Sequence, residues 1–493
     1  MIPLQRKRLI AILLIITAAA LMSQPLVSLA LTRSDEGEAV LLQEDDFDCA
    51  EVLGESNFKA NRYPQNVYDL VYNSLKTVSE RITNLRTYGI SVDDVDAFYS
   101  NIINDNPDLF YVSSSFIYYY NEASNLVTTI VPKYVDEIED IPAAQMLFDE
   151  GVNKALSCVD NSMNDLQKAV TLHDYICSYA VYPTIYDENG AYVAAWDKNI
   201  YHSAYGFFYD YNAVCAGYTL TYSYLLKELG IESEYAVSSP MEHAWNKIKI
   251  DGEWYNVDIT YDNFDFVEAE NTYGVVSHRC FLKSDSYFKG EGGLYHYGYE
   301  LYDGCDSDST LYDDAFWNDV NTSIYTVDGD FYYLDPVYDN HTATLVKRTA
   351  DGTETTIPNS TFRGATLSFS NKPTDENGVI HKVTKNDILI RFQYMDNKFY
   401  VSAYSSNGGT QTSIVSLTKD GERHTVLSGL GYLISLGSID GELVYQTYAD
   451  MSTVVTLDKR EYFRNNLTTY NSYPDANNDG VVNGRDWGYI INS

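Results

Sequence analysis

Three residues of this chain could together activate a nucleophile: Cys215, His243 and Asp258. A thiol becomes strongly nucleophilic when a neighbouring imidazole takes its proton, and a carboxylate behind that imidazole orients it and stabilises its charged form. An arbitrary cysteine is more often a small core residue, and a lone histidine on a strand is more often structural. The interpretation therefore depends on whether the predicted elements bring these side chains together.

A helix is predicted directly after Cys215. Gly230 can end this helix and Asn212 can cap its start. The apolar side chains recur at the spacing of one helix face: Tyr218, Tyr222, Leu225, Leu226 and Leu229. Cys215 is then expected in the first turn, where the helix dipole and the unbonded backbone N–H groups favour a thiolate and can stabilise an oxyanion.

His243 and Asp258 are predicted on one β-hairpin. The dipeptide Asp251-Gly252 is a strong signal for a two-residue turn between two strands. Such a turn pairs Ile250 with Glu253, which places His243 and Asp258 on the same face as diagonal neighbours. Diagonal neighbours are about 7–8 Å apart at the backbone, so their side chains can meet.

A second group of residues, near the C-terminus, has the spacing of a calcium-binding loop. Oxygen ligands fall at loop positions 1, 3, 5, 7, 9 and 12: Asp475, Asn477, Asp479, Val481 through its carbonyl, Asn483 and Asp486. Gly480 lies at position 6, where a sharp turn is needed. Hard oxygen ligands in this pattern predict a structural Ca²⁺ in an EF-hand-like loop.

The chain is strongly acidic. It has 33 Lys and Arg against 70 Asp and Glu, which gives a net charge of −37. Such a surface repels phosphate backbones, so no nucleic-acid partner is expected. The 46 tyrosines favour a large content of β-strand.

The N-terminus has the pattern of a signal peptide. Basic residues at 6–8 precede an apolar stretch at 9–22, and small residues surround a cleavage point after Ala30. Residues 1–30 are therefore expected to be removed, leaving a secreted, extracellular protein with no membrane span. An uncleaved membrane anchor is the alternative.

Six cysteines occur in the sequence. They are Cys49, Cys158, Cys177, Cys215, Cys280 and Cys305. Export permits disulfides, but a free catalytic thiol would leave an odd number for pairing, and the spacing does not indicate a disulfide framework. No Cys-x-x-Cys pair or Cys/His cluster predicts zinc, and no cofactor is expected for catalysis.

The composition changes along the chain. Residues 31–60 are acidic and predict a linker, and 61–305 combine helical and strand patterns. From 311 to 465 short aromatic runs follow Asp-Gly or Asp-Asn turns, as at Asp328-Gly329 and Asp396-Asn397. This pattern predicts an all-β repeat module of about three units that resembles propeller blades, or an open stack of sheets. Residues 473–493 form a last, separate segment.

The segment 61–305 resembles bacterial transglutaminase-like proteins. The resemblance lies in three motifs: Ala213-Val214-Cys215-Ala216-Gly217-Tyr218, Glu242-His243-Ala244-Trp245-Asn246, and Gly252-Glu253-Trp254-Tyr255-Asn256-Val257-Asp258. It implies a papain-like α+β catalytic domain, here with an N-terminal helical region. It also implies a catalytic triad with Cys215 as nucleophile, His243 as base and then acid, and Asp258 as the orienting residue.

The resemblance implies thioester chemistry on a protein or peptide substrate, but it leaves the acyl acceptor open. Transfer to water would make the chain a peptidase or amidase, which we favour, and transfer to an amine would make it a protein cross-linker. A binding or adhesion protein that uses the same fold as a scaffold is the alternative from a different class.

The calcium loop resembles one repeat of a bacterial dockerin. Such modules bind the cohesin modules of cellulosome scaffolds, which implies a cohesin partner and a cellulosome or cell-surface location. It also leaves open a role as a component of polysaccharide degradation. A dockerin normally has two repeats, and this segment shows one, with Gly484 and Arg485 in place of the common Ser/Thr pair.

Overall fold

The computed structural model describes residues 63–183, 199–263, 275–291, 294–298, 305–371, 375–380, 383–405, 412–439 and 442–448, together with five short strands outside these ranges. The described residues form two compact units, one of 63–95 and 114–133 and one of 96–113 and the remainder from 134. The predicted calcium loop and the signal peptide before Ala30 lie outside the described residues. No helix in the described ranges is long and apolar enough to cross a bilayer.

The first unit contains one helix and one antiparallel sheet. Its helix, α1 (Gln65–Lys76), buries Val67, Val71 and Leu75 on one face. The sheet has the order β1-β2-β4-β5-β3. Its strands are β1 (Ala30–Leu31), β2 (Ala39–Leu41), β3 (Ile82–Thr83), β4 (Val112–Asn121) and β5 (Leu126–Tyr134). The predicted N-terminal helical region is therefore partly sheet, because the aromatic run at the end of β4 favours a strand.

The second unit begins with the helices of the candidate catalytic domain. They are α2 (Val95–Asp105), α3 (Ile141–Leu156), α4 (Asp165–Tyr179), α5 (Ala204–Asp210), α6 (Cys215–Glu228) and α7 (Ile259–Asp262). Asp140 caps α3, and a capping box of Asn164 and Gln167 begins α4. The central helix α6 is buried along nearly its whole length.

Gly217 allows the chain before α5 to approach α6. A Cβ atom at this position would lie 2.4 Å from the carbonyl oxygen of Tyr201. That carbonyl accepts a hydrogen bond from the backbone N–H of Val214, at 3.0 Å. The glycine therefore permits the contact that holds the start of α6 in place.

A three-stranded antiparallel sheet packs beside α6. Its order is β10-β9-β8, formed by β8 (Ser233–Ser238), β9 (His243–Ile250) and β10 (Glu253–Val257). Asp251 and Gly252 form the turn with φ of 53° and 89°, as a tight two-residue hairpin requires. Ile250 pairs with Glu253, so the predicted register is confirmed. Two short strands, β6 (Ile185–Tyr186) and β7 (Tyr192–Val193), pair with each other.

The C-terminal part of the second unit is all-β. Its first sheet is β11 (Tyr325–Val327), β12 (Asp330–Val337), β13 (Thr342–Arg348) and β14 (Glu354–Arg363), and a pair follows, β15 (Ala365–Asn371) and β16 (Val383–Leu389). The next sheet is β17 (Phe392–Met395), β18 (Lys398–Tyr404), β19 (Thr412–Leu417) and β20 (Arg423–Leu430). The last is β21 (Tyr432–Ile439), β22 (Glu442–Tyr448) and β23 (Thr468–Thr469).

The two four-stranded sheets are built as repeats of one antiparallel meander. Asp328 and Gly329 turn the first with φ of 53° and 84°, and Asp396 and Asn397 turn the second with φ of 51° and 57°. The two sheets share one apolar core, which includes Tyr332, Leu345, Phe399, Val401 and Leu417. In the described ranges the sheets stay open and do not join into a ring, so the propeller-like architecture expected for 311–465 is not supported.

The chain from 305 to 324 is bonded into the candidate catalytic domain. Lys247 Nζ donates to Ser307 Oγ at 3.2 Å, within a fully buried cluster. The backbone N–H of Ile324 donates to Asp174 Oδ2 at 2.6 Å. The predicted boundary at 305 therefore lies within a set of buried hydrogen bonds of the domain.

The β module also contacts α4 beyond this segment. Gln167 Nε2 donates to the carbonyl of Gly329 at 2.7 Å, and the Tyr179 hydroxyl donates to the carbonyl of Ser438 at 2.9 Å. One helix of the candidate catalytic domain therefore touches both the first and the last sheets of the β module.

Candidate active site

Cys215 is the first residue of α6, as the sequence predicts. It is 7% exposed. The helix is preceded by Val214, which supplies no side-chain cap. The predicted cap by Asn212 is wrong, because the N-cap position is Val214, two residues further along the chain. The side-chain NH₂ group of Asn212 donates to Asp210 Oδ1 at 3.0 Å. The first-turn N–H groups of α6 thus receive no side-chain cap, and such groups have no partner within their own helix.

His243 and Asp258 meet across the hairpin. His243 Nε2 lies 2.7 Å from Asp258 Oδ2, and both side chains are buried. Asp258 follows β10 and begins α7, where its Oδ1 accepts a hydrogen bond from the backbone N–H of Tyr261 at 3.1 Å. The carboxylate is therefore oriented by the helix that it caps.

The imidazole of His243 connects Asp258 to Cys215. Its Nε2 faces Asp258, and the thiol of Cys215 lies near enough to the ring to help raise the pKa of the imidazole. With Nε2 taken by Asp258, Nδ1 is the ring nitrogen left for the sulfur. Burial disfavours the charged imidazole, but Asp258 and Cys215 outweigh burial and raise the pKa of His243 to about 10. The Tyr261 ring stacks on the imidazole with centroids 4.8 Å apart.

The charge on Asp258 is stabilised by two imidazoles. Burial alone would raise the pKa of this carboxyl, but hydrogen bonds and charge from His243 and His296 hold it well below its ordinary value. His296 Nε2 lies 2.8 Å from Asp258 Oδ2. Sequence reasoning did not single out His296, because it lies outside the hairpin and no spacing rule connects it to Asp258.

A second buried polar network lies behind the site. His173 Nδ1 and His278 Nε2 both contact Asp174 Oδ1, at 2.8 and 2.9 Å. His173 Nε2 also lies 3.2 Å from Asp262 Oδ2. Asp262 is the last residue of α7, the helix that Asp258 begins. The network therefore fixes the far end of the helix that positions Asp258, which gives His173 and His278 a structural role.

Two groups of side chains have the composition of metal ligands. They are His173, Asp174 and His278, and His243, Asp258 and His296, and in each group the ligand atoms lie within 4.8 Å of one another. In both groups one carboxylate oxygen already accepts hydrogen bonds from both imidazoles. Such contacts describe a hydrogen-bonded network rather than ligands spread around an ion. The predicted calcium ligands, Asp475 to Asp486, lie outside the described residues.

The cysteines that the structure describes are all free. Cys177, Cys280 and Cys305 are buried, and burial is the main cause that raises their thiol pKa, for Cys305 to about 11. Cys158 is exposed. Of the described cysteines, Cys215 is the one placed at a helix start beside an imidazole–carboxylate pair.

A family model matches the part of the chain that contains this site. The family model of the transglutaminase-like superfamily matches residues 153–259, a range that contains Cys215, His243 and Asp258. No curated protein matches the chain. A solved structure described as "Crystal structure of a TGase" matches with 14% identity and a TM-score of 0.20, over 36% of this chain and 50% of that one. The matched part thus spans half the length of that solved protein.

Proposed function

We propose that the transglutaminase-like domain of this chain is a cysteine acyl-transfer enzyme that opens peptide or amide bonds through a thioester on Cys215. The observation that supports this most strongly is the row of contacts from Cys215 through His243 to the buried Asp258. His243 lies between a thiol at a helix start and a buried carboxylate, which are the partners that the base of a thiol nucleophile needs. The arrangement matches the needs of nucleophilic catalysis.

The acylation step uses the thiolate and the imidazolium as a pair. Cys215 Sγ attacks the carbonyl carbon of the substrate, and the backbone N–H groups of the first turn of α6 can donate to the developing oxyanion. The C–N bond then breaks as His243 gives its Nδ1 proton to the leaving nitrogen. An amine departs, and a thioester remains on Cys215. Asp258 stabilises the charged imidazole throughout and does not itself take the proton.

The deacylation step reverses these roles. Neutral His243 removes a proton from the acceptor, the acceptor attacks the thioester carbonyl, and Cys215 leaves as a thiolate. We propose water as the acceptor, which makes the enzyme a peptidase or amidase. Water is far more concentrated than any amine, so transfer to an amine requires a site that excludes water. Protein cross-linking is the alternative outcome of the same thioester.

The activated ester p-nitrophenyl acetate tests both steps without a known substrate. The full chain should release p-nitrophenolate in a burst with an acetyl group on Cys215, followed by slower turnover. With millimolar cadaverine present, mass spectrometry should find mainly acetate. Mainly N-acetylcadaverine would assign the cross-linking reaction instead. If Cys215 is not acetylated at all, the result would favour the alternative, a non-catalytic binding protein. The control is Cys158→Ser, which removes an exposed thiol and should leave the burst unchanged.

We also propose that the mature chain is secreted and that its C-terminal segment binds calcium. The support is the sequence alone, in the signal-peptide pattern of 1–30 and the ligand spacing of 475–486. Three carboxylates and two carboxamides form a donor set that suits Ca²⁺. Its resemblance to a dockerin repeat extends the proposal to a cohesin partner and a cellulosome-type scaffold.

Calorimetric titration with Ca²⁺ tests the calcium proposal. The full chain should release heat that an Asp475→Ala, Asp479→Ala double variant loses, because the variant lacks two of the three carboxylates that the cation neutralises. The binding should be weak in isolation and stronger with a cohesin present. Equal heats from the two proteins would contradict both the calcium site and the argument for a cohesin partner.

A further inference from the structure

A second imidazole lies behind the Cys215–His243–Asp258 row. His296 Nε2 is 2.8 Å from Asp258 Oδ2, and His243 Nε2 is 2.7 Å from the same oxygen. One carboxylate oxygen is therefore shared by two imidazoles. His296 is 1% exposed, so water does not compete for this contact.

The surroundings of His296 fix its ring and leave its other nitrogen without a partner. Its backbone N–H donates to the carbonyl of Phe288 at 2.7 Å, and the two rings have centroids 4.2 Å apart. The rings of Trp245 and Tyr261 lie edge-on at 5.0 Å. Among the described residues, Nδ1 of His296 is buried with no hydrogen-bond partner. A buried nitrogen that makes no bond is costly, so the ring is held in place for its contact with Asp258.

The charge state of His296 depends on its burial and on the charged groups next to its ring. Asp258 favours the imidazolium, but burial and the charge on His243 disfavour it, and the pKa of His296 is lowered. The titratable Tyr261 also faces His296, with ring centroids 5.0 Å apart, and Cys280 and Tyr287 belong to or pack against the apolar cluster that contains Trp245 and Phe288. His296 is then a neutral imidazole, and its single proton must be on Nε2 to donate to Asp258.

We propose that His296 is a positioning residue of the acyl-transfer site: its neutral imidazole, protonated on Nε2, holds Asp258 and shares the negative charge that Asp258 presents to His243. This inference rests on the proposed function. A carboxylate that bonded His243 alone would hold the imidazolium proton more tightly. His243 must give that proton to the leaving amine and regain one from the acceptor in each cycle. A weaker attraction of Asp258 for this proton therefore favours turnover.

Two variants separate this role from simple packing. His296→Phe keeps an aromatic ring but removes the donor, and His296→Gln restores an N–H donor near Nε2. In His296→Phe the iodoacetamide alkylation of Cys215 should become fast at a lower pH, because Asp258 holds the His243 proton more strongly and the imidazolium stabilises the thiolate. Turnover of p-nitrophenyl acetate should fall about tenfold, as expected for the loss of one hydrogen bond to a charged group. His296→Gln should recover most of both properties.

A folded His296→Phe whose alkylation profile coincides with that of the original protein would overturn the inference, as would a His296→Gln that behaves like His296→Phe. ¹⁵N-histidine spectra of the full chain give a second measurement that needs no stable Phe variant. They should show His296, assigned by its loss in His296→Gln, as a neutral Nε2–H tautomer at neutral pH. An imidazolium at this position would also overturn it. If the original protein shows neither fast alkylation nor turnover, the proposed function fails, while the spectra still report on His296.

Discussion

Replacing Cys215 with alanine should lower the turnover of p-nitrophenyl acetate by about a thousandfold or more, since the members of a nucleophile–base unit act together. In the proposed reaction the sulfur of Cys215 is the atom that attacks. The thiol of Cys177 also lies 3.8 Å from an imidazole, that of His173, but it is completely buried and lies in the last turn of α4 rather than at a helix start. The matched control is Cys158→Ala, an equally small change at an exposed cysteine. It should keep full turnover.

Alkylation provides an independent measure of the same assignment. Iodoacetamide near pH 6 should modify Cys215 first, because the thiolate is the reactive form and the neighbouring His243 stabilises it. Burial raises the thiol pKa of Cys177 and Cys280 and keeps them from the reagent. Cys158 is the relevant competitor because it is exposed. If peptide mapping finds Cys158 labelled as fast as Cys215, the assignment of the nucleophile is wrong.

The local part of the site could be predicted from the sequence. Asp251-Gly252 determines a two-residue turn by its backbone preferences, and this turn sets the pairing of every residue up to Val257. The proximity of His243 to Asp258 follows from that pairing. The apolar spacing after Cys215 likewise predicts where α6 begins. Short-range rules are sufficient where one turn or one helix period decides the geometry.

Contacts between distant segments could not be predicted in this way. His296 reaches Asp258 across 38 positions of the chain, and no periodicity links them. Asn212 has the chemistry of a helix cap, but α6 begins at Cys215, which makes Val214 the N-cap residue. Tertiary structure decides which of several satisfactory partners a polar side chain takes.

In the β module, too, the local turns could be predicted from the sequence and the long-range arrangement could not. The turns at Asp328-Gly329 and Asp396-Asn397 predict meanders, and the structure contains them. Whether meanders close into a ring depends on the packing of whole sheets against each other, which a turn motif does not encode. The change in composition along the chain predicts a boundary at 305. The fold places Ser307 and Ile324 in buried hydrogen bonds with the preceding domain, and the composition does not indicate these bonds.

Asp174 connects these long-range contacts, and its removal should have the largest effect on stability. Its Oδ1 accepts hydrogen bonds from His173 and His278, and its Oδ2 accepts one from the backbone of Ile324. Burial opposes its charge, but the two imidazoles outweigh burial and lower the pKa of the carboxyl. One carboxylate thus links α4, the segment around His278 and the first residues of the β module.

The change Asp174→Asn should lower the free energy of unfolding by about 3–5 kcal/mol, the usual cost of removing one partner from a buried ion pair. An amide of the same shape must direct its NH₂ group at either the two imidazoles or the N–H of Ile324, all of which lie close to the carboxylate oxygens. Urea unfolding followed by circular dichroism measures the loss. The matched control is Asp165→Asn on the same helix, at an exposed pair with Lys168, which should cost less than about 1 kcal/mol.

The pH dependence of unfolding separates charge from shape in this network. The pKa of His173 is well above its ordinary value, because Cys177, Asp174 and Asp262 together outweigh burial. A raised pKa in the folded state contributes stability that is complete below about pH 6.5 and is lost as pH rises toward the folded value. In Asp174→Asn one carboxylate is gone, so this loss with rising pH should become smaller. The Asp174→Asn and Asp165→Asn proteins could instead have the same free energy of unfolding and the same change of this energy with pH. That result would show that the network carries no charge and that packing alone holds α7, and Asp258 with it.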